Sequence, residues 1–261
     1  MTTAATRNPA GGTAADTARR LRPEGDSARL GTFVKTNSVH VVEILALSPL
    51  DFLVVDAEHA PFDRAAIDPL VLAGRAAGIP VMVRVPDMAP ATILSVLDVG
   101  AAGLLVPHVD TADQARELVA LTRCRGGSRG FSSSTRAAGY GTLGMEQAVA
   151  AVDGCFIMAQ IESVAAVDAV EGIAGVEGID GLFVGRADLA LSFGELGTRG
   201  AAVLSATERT LKAARDAGKV GGMAIGNGAE RKDFAPLGAH WFIVGTDQSL
   251  LRLGAQMAAA G

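Results

Sequence analysis

Phe156-Ile157-Met158-Ala159-Gln160-Ile161-Glu162-Ser163, then apolar positions three and four apart over residues 165–173, then Gly181-Leu182-Phe183-Val184-Gly185-Arg186-Ala187-Asp188: this stretch decides the fold. Both apolar runs are too short for a helix and are bounded by glycine or charge. Neither alternates with polar residues, so each reads as a strand buried on both faces of a parallel sheet. The spacing between them is that of a helix laying one face on such a sheet. The unit is β-α-β.

Working outward, the same kind of run recurs at residues 31–34, 52–56, 81–85, 103–107, 156–161, 181–185, 220–225 and 241–245. Helical patterns fill the gaps at 91–99, 112–122 and 202–217, and Gly78, Gly100 and Gly218 stand just before the third, fourth and seventh runs. A glycine there ends a helix in the left-handed conformation. Eight strands alternating with helices over about 230 residues predict an α/β protein with a single (β/α)8 barrel, since a doubly wound sheet more often has five or six strands. The rhythm breaks once, where roughly 50 residues separate the fourth and fifth runs. They include Arg125-Gly126-Gly127-Ser128-Arg129-Gly130-Phe131-Ser132-Ser133-Ser134-Thr135-Arg136, expected as a lid or substrate loop on the side that follows the strands, or else a plain surface excursion. Residues 1–16, rich in Thr, Ala and Gly, are expected as a disordered tail, with the barrel domain over 17–261.

Composition narrows the function. The 261 residues carry 23 basic and 28 acidic side chains, a net charge of -5, one tryptophan (Trp241) and one tyrosine (Tyr140). With no basic footprint and few rings to stack on bases, a nucleic-acid partner is not expected. No run approaches the 18 or so apolar residues of a membrane helix, and no membrane partner is expected. Cys124 and Cys155 have no C-x-x-C spacing, which argues against a disulfide scaffold or structural zinc and favours a reducing cytoplasm.

In a barrel the chemistry collects where strands end, so the residues closing each run matter most. The second run ends in Asp56-Ala57-Glu58-His59-Ala60-Pro61, the third in Arg84, the fifth in Gln160-Ile161-Glu162 and the sixth in Gly185-Arg186-Ala187-Asp188. Glu162 and Asp188 stand at the ends of adjacent strands, where two like charges call for a cation; two protein oxygens plus water is how Mg²⁺ or Mn²⁺ is usually held. The alternative is that each caps the helix that follows. His59 suits proton transfer near neutrality. Arg84 is a permanent cation aimed into the mouth that needs an anion: a substrate carboxylate, an enolate, or an internal partner in Asp56 or Glu58. Asp98, near a helix end where the dipole disfavours it, is a candidate to orient His59. His108 reads as a second acid or base, or a polar rim residue. Lys35 follows the first run, but nothing nearby in sequence depresses its pKa, so Schiff-base chemistry is not expected.

These segments, together with Leu30-Gly31-Thr32-Phe33, Val83-Arg84-Val85-Pro86, Leu97-Asp98-Val99-Gly100-Ala101, Leu105-Val106-Pro107 and Arg129-Gly130, resemble the HpcH/HpaI class II metal-dependent aldolases of the phosphoenolpyruvate mutase/pyruvate kinase-like barrel superfamily. The resemblance implies that Glu162 and Asp188 hold Mg²⁺, Mn²⁺ or Co²⁺, that Arg84 stabilises an enolate oxygen, and that His59 is the general base with Asp98 as its dyad partner. It further implies that Gln160 contacts the substrate and that the backbone at Ala187 and Asp188 cradles its carboxylate. The implied activity is cleavage or formation of a 4-hydroxy-2-oxo acid through pyruvate enolate, with oxaloacetate decarboxylation as a side reaction. A 2-oxo acid and an aldehyde would be the small-molecule partners. The implied assembly is a hexamer, a trimer of dimers with the last helix exchanged between subunits. Other readings are a citrate-lyase-like or citramalyl-CoA lyase and a metabolite-binding protein without catalysis. The chain departs from many such aldolases at Phe33, where they have Trp, at Arg186, where they have Pro, and over residues 131–140. Arg186 beside the metal strand suits a substrate with a second anionic group.

Overall fold

The structure, a computed structural model, describes residues 13–25 and 27–260. Eight parallel strands, β1 (Arg29–Val34), β2 (Phe52–Asp56), β3 (Val81–Arg84), β4 (Gly103–Val106), β5 (Phe156–Ile161), β6 (Gly181–Val184), β7 (Val220–Ile225) and β8 (Ala239–Thr246), close into a barrel in chain order. Each covers its sequence-expected run, except that β3, β4 and β6 stop one residue short of its C-terminal end. Gly78, Gly100 and Gly218 all adopt positive φ, as helix-ending residues there should. The helix expected over 165–173 is split into Val164–Asp168 and Val170–Ala174 by Ala169, whose ψ of 5° interrupts it.

The two-residue period of a strand sorts side chains into two populations. Leu53, Val55, Val83, Leu104, Ile157, Leu182 and Phe242 face outward into the layer beneath the helices. Phe33, Phe52, Val54, Met82, Leu105, Phe156, Met158, Phe183 and Trp241 fill the barrel, with Trp241 stacked on Phe52 at 3.8 Å between ring centroids. Counting on by twos from these interior residues reaches Lys35, Asp56, Arg84, Gln160 and Glu162. The same alternation that makes an apolar barrel floor therefore makes a polar mouth. The seam between β8 and β1 is fastened by Asp247, the buried first residue of the helix Asp247–Ala260. Its Oδ1 and Oδ2 accept from the backbone N–H of Lys35 and of Thr36, each at 2.9 Å.

Two sequence expectations are corrected. Residues 1–12 of the expected tail lie outside the described residues, but Thr13 to Asp16 are ordered. Thr13 and Asp16 form a capping box on the helix Ala14–Arg19, from which the fully buried Ala18 and the following Leu21 enter the barrel interior. Arg20 donates to the carbonyl of Gly78, just before β3, and Arg22 pairs with Asp180, just before β6, so this segment closes the floor. A six-residue helix offers too little sequence for a period to register. Secondly, residues 123–144 are no lid over this chain's mouth. β4 passes within a few residues to the helix Ala112–Thr122, and the long segment comes after that helix, before the helix Met145–Asp153. It therefore runs along the floor, where helices hand over to strands. Among the described residues no helix is long and apolar enough to cross a membrane.

Candidate active site

One half of the mouth is built by β1, β2 and β3. Asp56, with no exposed surface, accepts from Arg84 Nε at 2.9 Å and Arg84 Nη2 at 2.7 Å, a bidentate pair, and lies 3.0 Å from Lys35 Nζ. Burial pushes the Asp56 carboxyl up, but the bonds and charge of Arg84, with help from Lys35 and the His59 N–H, outweigh it and hold it below the usual range. The Arg84 guanidinium lies over the Phe33 ring at 4.5 Å, so the ring supports the cation. The internal salt bridge considered for Arg84 is thus real, and it uses only the Nε and Nη2 edge.

The other half comes from β4, β5 and β6. Glu162 is buried; its Oε1 accepts the His108 N–H at 2.8 Å and lies 3.0 Å from His108 Nδ1, while its Oε2 accepts from Gln160 Nε2. His108 adopts a φ of 56°, rare for a residue with a side chain, and this turn presents its N–H to Glu162. Glu58 joins the halves: it is 3.3 Å from Arg84 Nε, 3.6 Å from His108 Nε2 and 3.7 Å from His59 Nε2. Burial raises the Glu58 carboxyl, and the Glu162 charge adds to this against Arg84, His59 and His108. Lys35 and His108, which sequence alone does not single out, both touch the buried carboxylates. For Lys35 the signal was present, because it shares parity with the inward Phe33.

The charges indicate what the mouth would bind. Lys35 and Arg84 balance Asp56 and Glu58, and among the described residues the carboxylates of Glu162 and Asp188 are paired with no permanent cation. Among the described residues Gln160 Oε1 is buried without a partner, and Asp188 is exposed in the first turn of the helix Arg186–Ser192. Hard oxygens with an unspent acceptor fit a small divalent cation. Among the described residues no three His, Cys, Asp or Glu side chains gather as a ready metal site, so such an ion would keep several waters. A Cβ on Gly185 would lie 2.9 Å from Glu162 Oε2 and 2.8 Å from its Cβ. Gly185→Ala is therefore expected to weaken divalent-cation binding at least about tenfold, with an overpacking cost of about 1–3 kcal/mol. Calorimetric titration with Mn²⁺ and a denaturation curve check the two effects separately.

The remaining predicted residues fall as follows. His59 follows β2 with its side chain 53% exposed and its N–H on Asp56 Oδ1 at 3.2 Å. Ala187 is exposed beside Asp188. Arg186 is buried and reaches toward β7, donating through Nη2 to the Ala224 carbonyl at 2.7 Å and to Glu230 at 3.1 Å. Asp98 is not brought to His59 within the chain. It ends the helix Pro90–Asp98 at the floor, where Arg129 Nη2 donates to it at 2.9 Å and Arg129 Nη1 donates to the Val152 carbonyl. The helix after β3 runs from mouth to floor, which separates its last residue from the catalytic end.

The model of the family described as HpcH/HpaI aldolase/citrate lyase matches residues 29–252. The chain belongs to this family. It is 38% identical over 216 residues to the 5-keto-4-deoxy-D-glucarate aldolase of Klebsiella pneumoniae subsp. pneumoniae, covering 82% of this chain and 84% of that one. It is 38% identical over 246 residues to the hydroxypyruvate/pyruvate aldolase of Paraburkholderia phytofirmans, covering 93% and 91%. A solved HpcH/HpaI aldolase/citrate lyase family protein from Burkholderia cenocepacia J2315 superposes with a TM-score of 0.88 at 34% identity, over 94% of this chain and 98% of that one. This HpcH/HpaI chain is an enzyme of the carbon–carbon lyase class.

Proposed function

We propose that the protein is a divalent-metal aldolase that cleaves or forms a 4-hydroxy-2-oxo acid through pyruvate enolate. The observation that carries this reading is the mouth itself: a guanidinium braced on one side by Asp56, and a buried carboxylate lacking a permanent cation on the other. A Mg²⁺, Mn²⁺ or Co²⁺ held by Glu162 and Asp188 would polarise the 2-oxo group. Arg84 meets the charge that develops on the enolate oxygen, from a position fixed before the substrate arrives. Gln160 contacts the bound substrate, its unpartnered Oε1 accepting from a substrate hydroxyl, and the N–H groups of Ala187 and Asp188 receive the carboxylate. His59 takes the proton of the 4-hydroxyl; the C3–C4 bond breaks, the aldehyde leaves, and the electron pair settles in the enolate. Protonation at C3 completes pyruvate. Oxaloacetate decarboxylation passes through the same enolate.

Proton–deuterium exchange at the methyl group of pyruvate, followed by NMR, tests this without choosing an aldehyde. Exchange is expected with added Mg²⁺, Mn²⁺ or Co²⁺, none in metal-free protein, and loss in His59→Ala. Absence of exchange with every metal would refute the reading.

The assembly belongs to the same proposal. In the helix Asp247–Ala260 every residue from Leu251 onward is exposed, including Leu251, Leu253 and Met257. An apolar helix so little covered by its own barrel suits exchange with another copy in a hexamer built as a trimer of dimers. Sedimentation is expected to show a homo-oligomer, and Leu251→Glu combined with Met257→Glu to shift it to smaller species. Both cysteines are free thiols, in keeping with a cytoplasmic enzyme.

A further inference from the structure

Lys35 is pinned at both ends. It stands one residue past β1, on the inward parity of Phe33, and its backbone N–H donates to Oδ1 of the buried Asp247 at 2.9 Å. At the far end of the side chain, Nζ lies 3.0 Å from Oδ2 of Asp56. A lysine stem is ordinarily mobile, and holding it in one place costs rotamer entropy. Asp56 alone does not account for that cost. Its Oδ2 already accepts from Arg84 Nη2 at 2.7 Å and its Oδ1 from Arg84 Nε at 2.9 Å, so Lys35 is a second cation on a carboxylate held bidentately by the first. Among the described residues Asp56 is the one side-chain partner of Nζ, while an ammonium has three donors. The side chain keeps 23% of its surface exposed, so the unspent N–H groups open on the mouth.

The position relates this ammonium to the reaction. In a ring closed in chain order, β1 lies diametrically across from β5, the strand that leads to Gln160 and Glu162. A keto acid held by the β5 and β6 side thus has β1 and β2 facing it over the mouth. His59 belongs to that facing side, since its N–H donates to Asp56 Oδ1 at 3.2 Å. Asp56 gathers Arg84, Lys35 and the turn of His59 on one carboxylate.

We infer that Lys35 is a further catalytic residue, the donor to the oxygen on C4. This rests on the aldolase reading. In synthesis, C3 of the enolate bonds to the aldehyde carbon, the carbonyl π pair moves onto the aldehyde oxygen, and His59 returns a proton to it. Lys35 lends that oxygen a hydrogen bond while it is negative and keeps its own proton. In cleavage the same hydrogen bond stabilises the alkoxide as His59 takes the hydroxyl proton and the C3–C4 bond breaks. Arg84 answers charge on the oxygen of C2 and Lys35 charge on the oxygen of C4, both fixed on Asp56 before substrate arrives.

The test compares two reactions in one preparation, at saturating Mn²⁺, for wild type, Lys35→Met and Lys35→Arg. One is methyl exchange of pyruvate alone, which has no C4 oxygen. The other is addition of pyruvate to glycolaldehyde, an uncharged aldehyde, read as kcat/KM. Their ratio does not depend on the fraction of protein that folds. Lys35→Met is expected to lower the ratio of addition to exchange at least about tenfold, and Lys35→Arg, which keeps a cationic donor, to recover part of it. A ratio that stays constant overturns the assignment, making Lys35 a brace for Asp56 and Arg84 if both rates fall in step and a bystander if neither falls. Borohydride trapping of pyruvate on Lys35 overturns it as well, because the amine would then be a nucleophile. Wild type that exchanges, with variants of unchanged ratio, refutes the role of Lys35 alone; wild type that exchanges with no metal refutes the aldolase reading and this role with it.

Discussion

Arg84→Ala is expected to lower the rate of pyruvate methyl exchange by about 10²–10³, the scale on which a single preorganised donor at a developing oxyanion is worth its place. The second effect is on stability. Asp56 has no exposed surface, and Arg84 supplies both of its short side-chain bonds, leaving Lys35 as its remaining cation. Removing one partner of a buried pair costs about 3–5 kcal/mol, because the other charge stays behind. Urea denaturation measures this. Arg84→Lys separates the two effects: an ammonium restores charge beside Asp56 but not the planar bidentate edge, so stability should recover further than rate. The pH dependence follows in sign. Asp56 in the folded protein titrates below its ordinary value of 3.8, so its contribution to stability is present above that value and is lost as pH falls through the folded-state value. Without Arg84, acid unfolding of the protein should begin at a higher pH.

Glu162→Gln is expected to abolish the divalent-cation binding proposed for the mouth. The substitution keeps an oxygen able to accept the His108 N–H, so the turn at His108 and the strand end survive. It removes the buried charge that Glu162 contributes to the mouth. A divalent ion held through few carboxylates depends strongly on each, and affinity for Mn²⁺ is expected to fall by about 100-fold or more, read by equilibrium dialysis. Methyl exchange should vanish at metal concentrations that saturate wild type, while the unfolding midpoint in metal-free buffer stays close to wild type. An unchanged affinity would show that Glu162 serves only to position His108 and Gln160.

The barrel was legible because strands covered on both faces must be written as unbroken apolar runs, and these runs locate all eight. The inward row of the mouth was equally legible: Phe52, Val54 and Asp56 share parity, as do Met82 and Arg84, or Met158, Gln160 and Glu162. What sequence could not supply was distance through space. Asp98 and Arg129 meet only because two helices end on the same floor. His108 reaches Glu162 through an unusual backbone turn that a histidine does not announce. The side taken by residues 123–144 was readable and misread, since the helical pattern starting at residue 112 leaves no room for an insertion directly after β4.

The Asp247 carboxylate, which ties the start of the last helix to the N–H groups of Lys35 and Thr36, joins residues 212 and 211 positions apart. Synthesis from the N-terminus therefore delivers all eight strands before the group that locks the first to the last. Until the final fourteen-residue helix begins to emerge, β1 waits with one edge unsealed. Contacts of such long sequence separation are slow to form, because the whole intervening chain must be ordered first. Sealing of the ring, and with it the backbone that carries Lys35 into the mouth, is thus a late event in the life of each new molecule. The enzyme is assembled as an open strip before it becomes a vessel.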